Sequence, residues 1–181
     1  GLARSGREIT LVGPAAADDR RTTALMTPAL RYLQELGLLT AIAPQAAPLR
    51  TMRIVDATSR LIRSPSVTFH ASEIGEDHFG LNIPNTVLLD ALWQAVRTSP
   101  TIDWRETTVE TWQLEPAEAR ALLADGTAVS APAAIAADGR NSPARTAAGI
   151  RVTTTAYPQA ALVVNFSHTR SHGSVSTEFH T

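Results

Sequence analysis

Residues 133–149, AAIAADGRNSPARTAAG, are the stretch that decides the fold. The five small or branched apolar residues at 133–137 are typical of a strand buried on both faces, and Asp138-Gly139 predicts the turn that ends it. The pattern therefore predicts a central strand that stops at an acidic turn.

A helix is expected directly after this turn. The Ser142 hydroxyl can accept a hydrogen bond from a free amide, Pro143 suits the first helical position, and Gly149 can adopt the left-handed stop. Arg140, Arg145 and the positive end of the helix would then surround the carboxylate, an arrangement that suits a phosphate-bearing ligand. An ordinary strand-to-helix turn of an α/β domain fits the same pattern.

Composition excludes several classes of protein. The chain has 181 residues, 44% of them hydrophobic, with a net charge of -1 and no cysteine, which excludes disulfides, thiolate catalysis and cysteine-bound zinc. No apolar run reaches membrane-spanning length. The arginines are scattered among acids, so we expect no nucleic-acid partner. We expect a cytoplasmic protein.

The first residues indicate the end of a helix and then a strand. Gly6 is a plausible stop for a helical turn over 1–5, and residues 8–12 predict a buried strand. A dinucleotide-binding unit places an acid after its second strand to hold the adenosine ribose, but Gly13 stands there. If residues 8–12 belonged to such a unit, either Asp18 or Asp19 would take over that contact, or backbone groups would.

Two helices and several strands can be predicted from local patterns. One helix has Thr27 as its N-cap and Gly37 as its stop, with Leu25, Ala29 and Leu33 in the core. A longer helix begins at Pro84-Asn85 and ends before Ser99-Pro100. Residues 38–50 predict a connection, and strands are expected at 52–55, 67–70, 102–104, 109–114, 120–124, 127–131, 151–155, 161–167 and 174–179.

The histidines do not identify a catalytic or metal site. Histidine is a common acid-base residue, which makes His70 and His78 candidates, but each lies near a loop, where solvation is the simpler explanation. His168 and His172 have a spacing that would align metal ligands on a helix, whereas a hairpin tip would turn them apart. We therefore expect no metal and assign no catalytic side chain.

Asp138-Gly139, Ser142 and Arg145 after an apolar strand resemble the DG motif of the class A flavoprotein monooxygenases, the para-hydroxybenzoate hydroxylase superfamily. Residues 19–25 (DRRTTAL) are similar to the arginine segment that follows the second strand in the same superfamily. Further along the chain, three segments are similar to its ubiquinone-biosynthesis hydroxylase branch: 79–85 (FGLNIPN) with Leu88, Leu89 and Leu92, 157–163 (YPQAALV) and 178–181 (EFHT).

The resemblance implies an α/β fold: an incomplete FAD-binding Rossmann-like domain of the glutathione-reductase type, with an inserted antiparallel β ribbon and the start of a β-sheet substrate domain. It places parts of the FAD-binding domain at 1–50 and 84–150, an excursion of the substrate domain at 51–83, and the start of that domain at 151–181. The glycine-rich loop would lie before Gly1 and a second flavin motif after Thr181, so residues 1–181 alone are expected to bind FAD poorly and to be inactive.

The resemblance also implies an FAD-dependent monooxygenase that hydroxylates an aromatic ring, using NAD(P)H and oxygen. The substrate would be a small aromatic or prenylated-quinol-type intermediate of ubiquinone biosynthesis. Peripheral association with a membrane or a multi-enzyme assembly would follow in the full-length protein. The expected FAD contacts are Arg21, Asn85, Asp138, Gly139, Ser142 and Arg145.

Two alternatives remain open from the residues. One is another FAD-dependent oxidoreductase of the superfamily, a reductase or halogenase. The other is a non-catalytic α/β module in which the Asp138 turn is structural and the arginines bind an anion or a partner protein. In that module, Arg21 would form a surface ion pair with Asp18 or Asp19.

Overall fold

The structure, a computed structural model, describes residues 1–15 and 18–181. The chain divides into two compact units. The first unit comprises Gly1–Ala17 and Val96–Ala161, and the second comprises Asp18–Ala95 and Leu162–Thr181. The predicted division into four segments stays a prediction.

The described residues form eleven strands and four α-helices, in this order along the chain: β1 (Ile9–Val12), β2 (Thr22–Met26), α1 (Thr27–Glu35), α2 (Leu39–Ile42), β3 (Ala47–Leu49), β4 (Thr51–Asp56), β5 (Val67–His70), β6 (Gly80–Pro84), α3 (Asn85–Thr98), β7 (Ile102–Arg105), β8 (Val109–Glu115), β9 (Glu118–Leu123), β10 (Ala128–Ala131), α4 (Pro143–Ala147) and β11 (Val175–His180). Short 3₁₀ helices span Leu2–Ser5, Ala43–Gln45 and Ala71–Ile74.

The first unit contains a parallel strand pair and an antiparallel ribbon. β1 pairs with β7, and the indole N–H of Trp104 donates to the Gly13 carbonyl at 2.9 Å. β8, β9 and β10 follow as a meander, with Gly126 at a φ of 81° in the turn between β9 and β10. Only glycine adopts that φ without strain, so the predicted hairpin is confirmed at its turn.

The second unit contains a sheet in the order β2-β6-β3, with β6 in the centre. A core of buried side chains lies between this sheet and the helices that flank it: Leu30, Leu33, Ile42, Leu81 and Ile83. Val87, Leu88 and Ala91 of α3 are partly buried and pack against this core. Burial of these aliphatic side chains is the main stabilising contribution in this unit.

A second sheet in the same unit has the order β11-β4-β5. β4 and β5 form the antiparallel pair that the sequence predicts, with Met52 opposite Phe69. β11 adds in parallel to the other edge of β4. The predicted strand at 174–179 is therefore confirmed as β11.

The predicted start of the first helix needs a correction. Thr27 is the first helical residue, and Met26 occupies the N-cap. The Thr27 hydroxyl donates to the Phe79 carbonyl at 3.1 Å instead of capping the helix. Ala29 is exposed, while Gly37 adopts the left-handed conformation expected of a stop.

Other predicted strands are absent from the described residues. Residues 133–137 form no strand and are exposed, with Ile135 75% exposed, because no described strand pairs with them. The same holds for 151–155 and 161–167, whose alternation has no ladder partner. The predicted connection at 38–50 instead contains α2, a 3₁₀ helix and β3.

None of the helices in residues 1–15 and 18–181 combines the length and apolar character that a membrane crossing requires.

Candidate functional site

A polar cluster lies where β2 begins and α3 begins, and it consists of Asp19, Arg21, Thr23 and Asn85. The Asn85 side chain accepts a hydrogen bond from the Thr23 hydroxyl at 2.6 Å and donates one to Asp19 at 2.8 Å. Arg21 donates to the same carboxylate from Nε at 2.8 Å and from Nη2 at 2.7 Å. The backbone amide of Asn85 donates to the Arg21 carbonyl at 2.9 Å, which anchors the first turn of α3.

In this cluster the Asp19 carboxylate is mostly covered, while the Arg21 guanidinium is open to solvent. The Asp19 side chain is 23% exposed and that of Arg21 is 70% exposed. Hydrogen bonds from Arg21 first, and then from Asn85, hold the pKa of Asp19 far below its usual range, and Asp19 raises the pKa of Arg21. A guanidinium has five N–H donors, so Arg21 keeps a free edge that can bind an anionic group.

Arg21 forms the surface ion pair that the alternative prediction describes, and its neighbour Arg20 forms a second one. Arg21 pairs with Asp19 at 2.7 Å, and Arg20 pairs with Asp18 at 2.9 Å. The pair with Asp19 leaves one edge of the Arg21 guanidinium free, so the ion pair does not exclude a contact with a cofactor. The role of Arg21 in cofactor binding stays a prediction.

The ionisation of Asp19 should respond to pH in one direction. The pKa of Asp19 is lower in the folded protein than its ordinary value of 3.8. The ionised carboxylate therefore stabilises the fold at pH values above 3.8, and this stabilisation is lost as the pH falls through the lower pKa of the folded state. An NMR titration of the Asp19 carboxyl carbon should give a midpoint below 3.8. Arg21→Gln should raise this midpoint, whereas a wild-type midpoint at the ordinary value would show that the cluster does not form.

The Asp138 turn consists of Asp138, Gly139, Arg140, Ser142 and Arg145, and the sequence prediction brings these residues together correctly. The Asp138 carboxylate accepts from the amide of Ala144 at 3.1 Å, and the buried Ser142 Oγ accepts from the amide of Arg145 at 3.0 Å. Ser142 is thus the N-cap of α4, as predicted.

The carboxylate in this turn is ionised and open to solvent. The Ser142 hydroxyl, and then the Ala144 amide, hold the pKa of Asp138 below its usual range. Gly139 has a φ of 79°, and a Cβ added there would meet no atom within 4 Å. The backbone beside the carboxylate can therefore be approached closely by a ligand.

The predicted phosphate cradle at the start of α4 needs a correction. The first-turn amides of Ala144 and Arg145 already donate to Asp138 and Ser142. The Arg145 guanidinium folds back on the Arg140 carbonyl at 2.7 Å. An exposed carboxylate with these partners suits hydroxyl donors, such as those of a sugar or ribityl chain, better than it suits a phosphate.

The two sets of predicted residues belong to different units: Arg21 and Asn85 to the second, and the Asp138 turn to the first. Sequence reasoning missed Thr23, which fixes the orientation of the Asn85 amide. It proposed Asp19 only as a ribose contact or an ion-pair partner, whereas the structure places this carboxylate at the centre of the polar cluster. Both roles depend on contacts with Asn85, more than sixty residues further along the chain, so no local signal in the sequence indicates them.

The expected geometry of two histidines is wrong. The rings of His168 and His172 lie with their centroids 5.6 Å apart, so the turn brings them together rather than apart. Across the part of the chain that the structure describes, no group of three or more metal-binding side chains is assembled.

A family model described as "FAD binding domain" matches residues 2–180. Ubiquinone hydroxylase UbiL of Rhodospirillum rubrum is 29% identical over 174 residues, covering 91% of this chain and 37% of the relative. The 3-demethoxyubiquinol 3-hydroxylase of Escherichia coli is 29% identical over 184 residues, covering 91% of this chain and 44% of the relative.

Among solved structures, PqsL of Pseudomonas aeruginosa superposes with a TM-score of 0.70 at 19% identity, over 87% of this chain and 43% of that protein. The likeness extends to the fold, a mixed α/β arrangement with several small sheets. The chain spans about two fifths of the length of the curated relatives it matches.

Proposed function

This chain belongs to the FAD binding domain family, whose model matches residues 2–180, and from that premise we propose that it supplies cofactor contacts of an NAD(P)H-dependent aromatic hydroxylase. The two curated relatives are named as hydroxylases of ubiquinone-type rings. The proposed reaction is accordingly the hydroxylation of an aromatic intermediate of ubiquinone biosynthesis, with oxygen as co-substrate. A reductase, a halogenase or a non-catalytic module is not favoured by these comparisons.

The observation that carries the proposal is the Asp138 turn. Its carboxylate is ionised, exposed and fixed by Ser142 and Ala144, and the left-handed Gly139 beside it leaves the backbone open. We assign this carboxylate to the hydroxyl groups in the sugar or ribityl part of FAD. Ser142 and Arg145 act on the cofactor through the turn, by fixing the position of Asp138.

The polar cluster of the second unit is proposed as a further FAD contact. The free edge of the Arg21 guanidinium would balance the negative charge of the pyrophosphate, and the Asn85 amide would hydrogen bond to the ribityl chain. Thr23 and Asp19 hold these two side chains in place. The residues present therefore fit FAD.

FAD supplies the redox chemistry with NAD(P)H and oxygen, while the protein binds, orients and excludes water. The substrate proposed is a small aromatic or prenylated-quinol-type molecule, supported by the names of the two relatives. Peripheral association of the complete protein with a membrane or a multi-enzyme assembly is also part of the proposal.

The test is product analysis with isotopically heavy O₂, on protein expressed from its complete reading frame. A quinol-type ring should stimulate NAD(P)H oxidation and carry one heavy oxygen atom in the product, while a saturated-ring analogue should do neither. NAD(P)H oxidation without oxygen in the product would assign a reductase. A purified protein that holds no flavin would contradict the proposal.

A further inference from the structure

The loop between β4 and β5, residues 57–66, has a fixed base. One oxygen of Asp56 accepts from the Thr58 amide at 3.1 Å and from the Thr58 hydroxyl at 2.7 Å. The other accepts from the Ser64 amide at 2.9 Å. A single carboxylate at the end of β4 therefore ties both ends of the loop, and residues 60–63 form the tip that projects from this clamp.

The projecting residues place two apolar side chains in solvent. Leu61 is fully exposed and Ile62 is 85% exposed, although both are large aliphatic residues. Neighbouring side chains of this kind are normally covered, and an exposed pair has a functional reason more often than an isolated residue does.

Arginines flank this apolar pair on both sides. Arg60 precedes it and Arg63 follows it, and residues 57–66 contain no acidic residue. Within the described ranges, neither arginine forms a salt bridge with an acidic side chain; Arg63 contributes only a long-range attraction to Asp56. The tip thus carries two positive charges beside its apolar pair.

We propose that residues 60–63, the docking tip, attach this protein to an anionic lipid surface. Leu61 and Ile62 enter the boundary between head groups and acyl chains, and the two arginines extend their charged ends to lipid phosphates. The inference deepens the peripheral membrane association proposed above by assigning it to named residues, but it requires neither FAD nor a substrate.

The size of the tip favours a lipid surface over a protein partner. A stable protein interface buries roughly 1,200–2,000 Å² and draws on about 20–30 residues a side, which four projecting residues do not provide. A lipid surface needs only a few inserted apolar groups and nearby cations, because its phosphates are mobile and numerous. The charge of the tip also matches an anionic surface specifically.

The chain offers a matched control in another exposed apolar pair. Leu162 is 90% exposed and Val163 is 69% exposed, in the same unit as the tip. Residues 157–167 around them contain no charged side chain. If exposure of apolar side chains alone caused binding, both pairs would contribute alike.

The experiment is flotation of the protein, expressed from its complete reading frame, with vesicles of phosphatidylcholine alone, or of equal parts phosphatidylcholine and phosphatidylglycerol. The wild-type chain should bind the anionic vesicles at least about tenfold more strongly than the neutral ones, and salt should weaken that binding. Leu61→Ser with Ile62→Ser should abolish it, and Arg60→Gln with Arg63→Gln should remove the preference for anionic lipid. Leu162→Ser with Val163→Ser should leave binding unchanged.

Three results would overturn the proposal. The first is that the wild-type protein binds neither kind of vesicle, which would indicate that the tip contacts a protein instead of a lipid surface. The second is equal binding to neutral and anionic vesicles, and the third is equal loss in the control pair. Circular dichroism of each variant establishes that it is folded, and FAD binding is not involved, so failure here leaves the proposed flavoenzyme function standing.

Discussion

Substitution of Gly80 by alanine should destabilise the second unit by about 4 kcal/mol or more, a loss that can equal the whole stability of a small unit. An added Cβ would lie 2.2 Å from the Leu25 carbonyl oxygen and 2.9 Å from the Met26 Cα. Both contacts are with backbone, so no side-chain rotation relieves them. Because β6 is the central strand of its sheet, a shift there disturbs β2 and β3 together.

Chemical denaturation followed by circular dichroism measures this effect, and Gly13→Ala is the matched control. A Cβ added at Gly13 meets nothing within 4 Å. That variant should stay within about 0.5 kcal/mol of the wild type. If Gly80→Ala unfolds at the same denaturant concentration as the wild type, the close approach of β6 and β2 is wrong.

The elements that the sequence predicts correctly are those set by neighbouring residues. Asp125-Gly126 specifies its hairpin because the turn itself needs a positive φ, which Gly126 adopts at 81°. The antiparallel pair of β4 and β5 likewise follows from alternation over a short distance. Local signals of this kind do not depend on how distant segments of the chain pair.

Strands that depend on distant partners could not be predicted in the same way. Residues 133–137 have the composition of a buried strand, yet composition cannot specify which strand they pair with. The sequence does not predict β2 as a strand, because its partner β6 begins more than fifty residues later. Residues 19–25 are interpreted through their resemblance to the arginine segment of the superfamily. Pairing between distant segments is a tertiary property.

The candidate site shows the same distinction. Ser142 and Arg145 are close in sequence to Asp138, and capping rules alone predict their contacts. In the polar cluster, Asn85 lies 66 residues from Asp19 and 62 from Thr23. No spacing rule connects residues so far apart, so the sequence predicts neither the contact of Thr23 nor the central place of Asp19.

Removal of the Asp138 carboxylate should strongly lower the affinity of the protein for FAD. In protein expressed from its complete reading frame, Asp138→Ala should weaken FAD binding by about ten- to a hundredfold, since an ionised acceptor would be lost from its hydrogen bonds to the cofactor. Equilibrium titration followed by flavin fluorescence gives the two dissociation constants. Asp138→Asn should retain the turn while weakening binding, because an amide accepts hydrogen bonds less strongly than a carboxylate.

A second Asp-Gly pair in the same unit provides the control. Asp125 precedes Gly126, accepts from the Thr127 amide at 2.9 Å and has its pKa lowered by hydrogen bonds with Thr127. Asp125→Ala thus removes a turn carboxylate of the same kind whose hydrogen-bond partner is Thr127 rather than a residue of the Asp138 turn. Equal losses of FAD affinity in the two variants would point to general destabilisation instead of a lost contact.

The most direct test of the central claim is a crystal structure of the complete protein with FAD. It should place a carboxylate oxygen of Asp138 within hydrogen-bonding distance, about 2.5–3.0 Å, of a hydroxyl group of the bound cofactor. The claim is contradicted if FAD is bound and the Asp138 carboxylate contacts only Ser142 and Ala144.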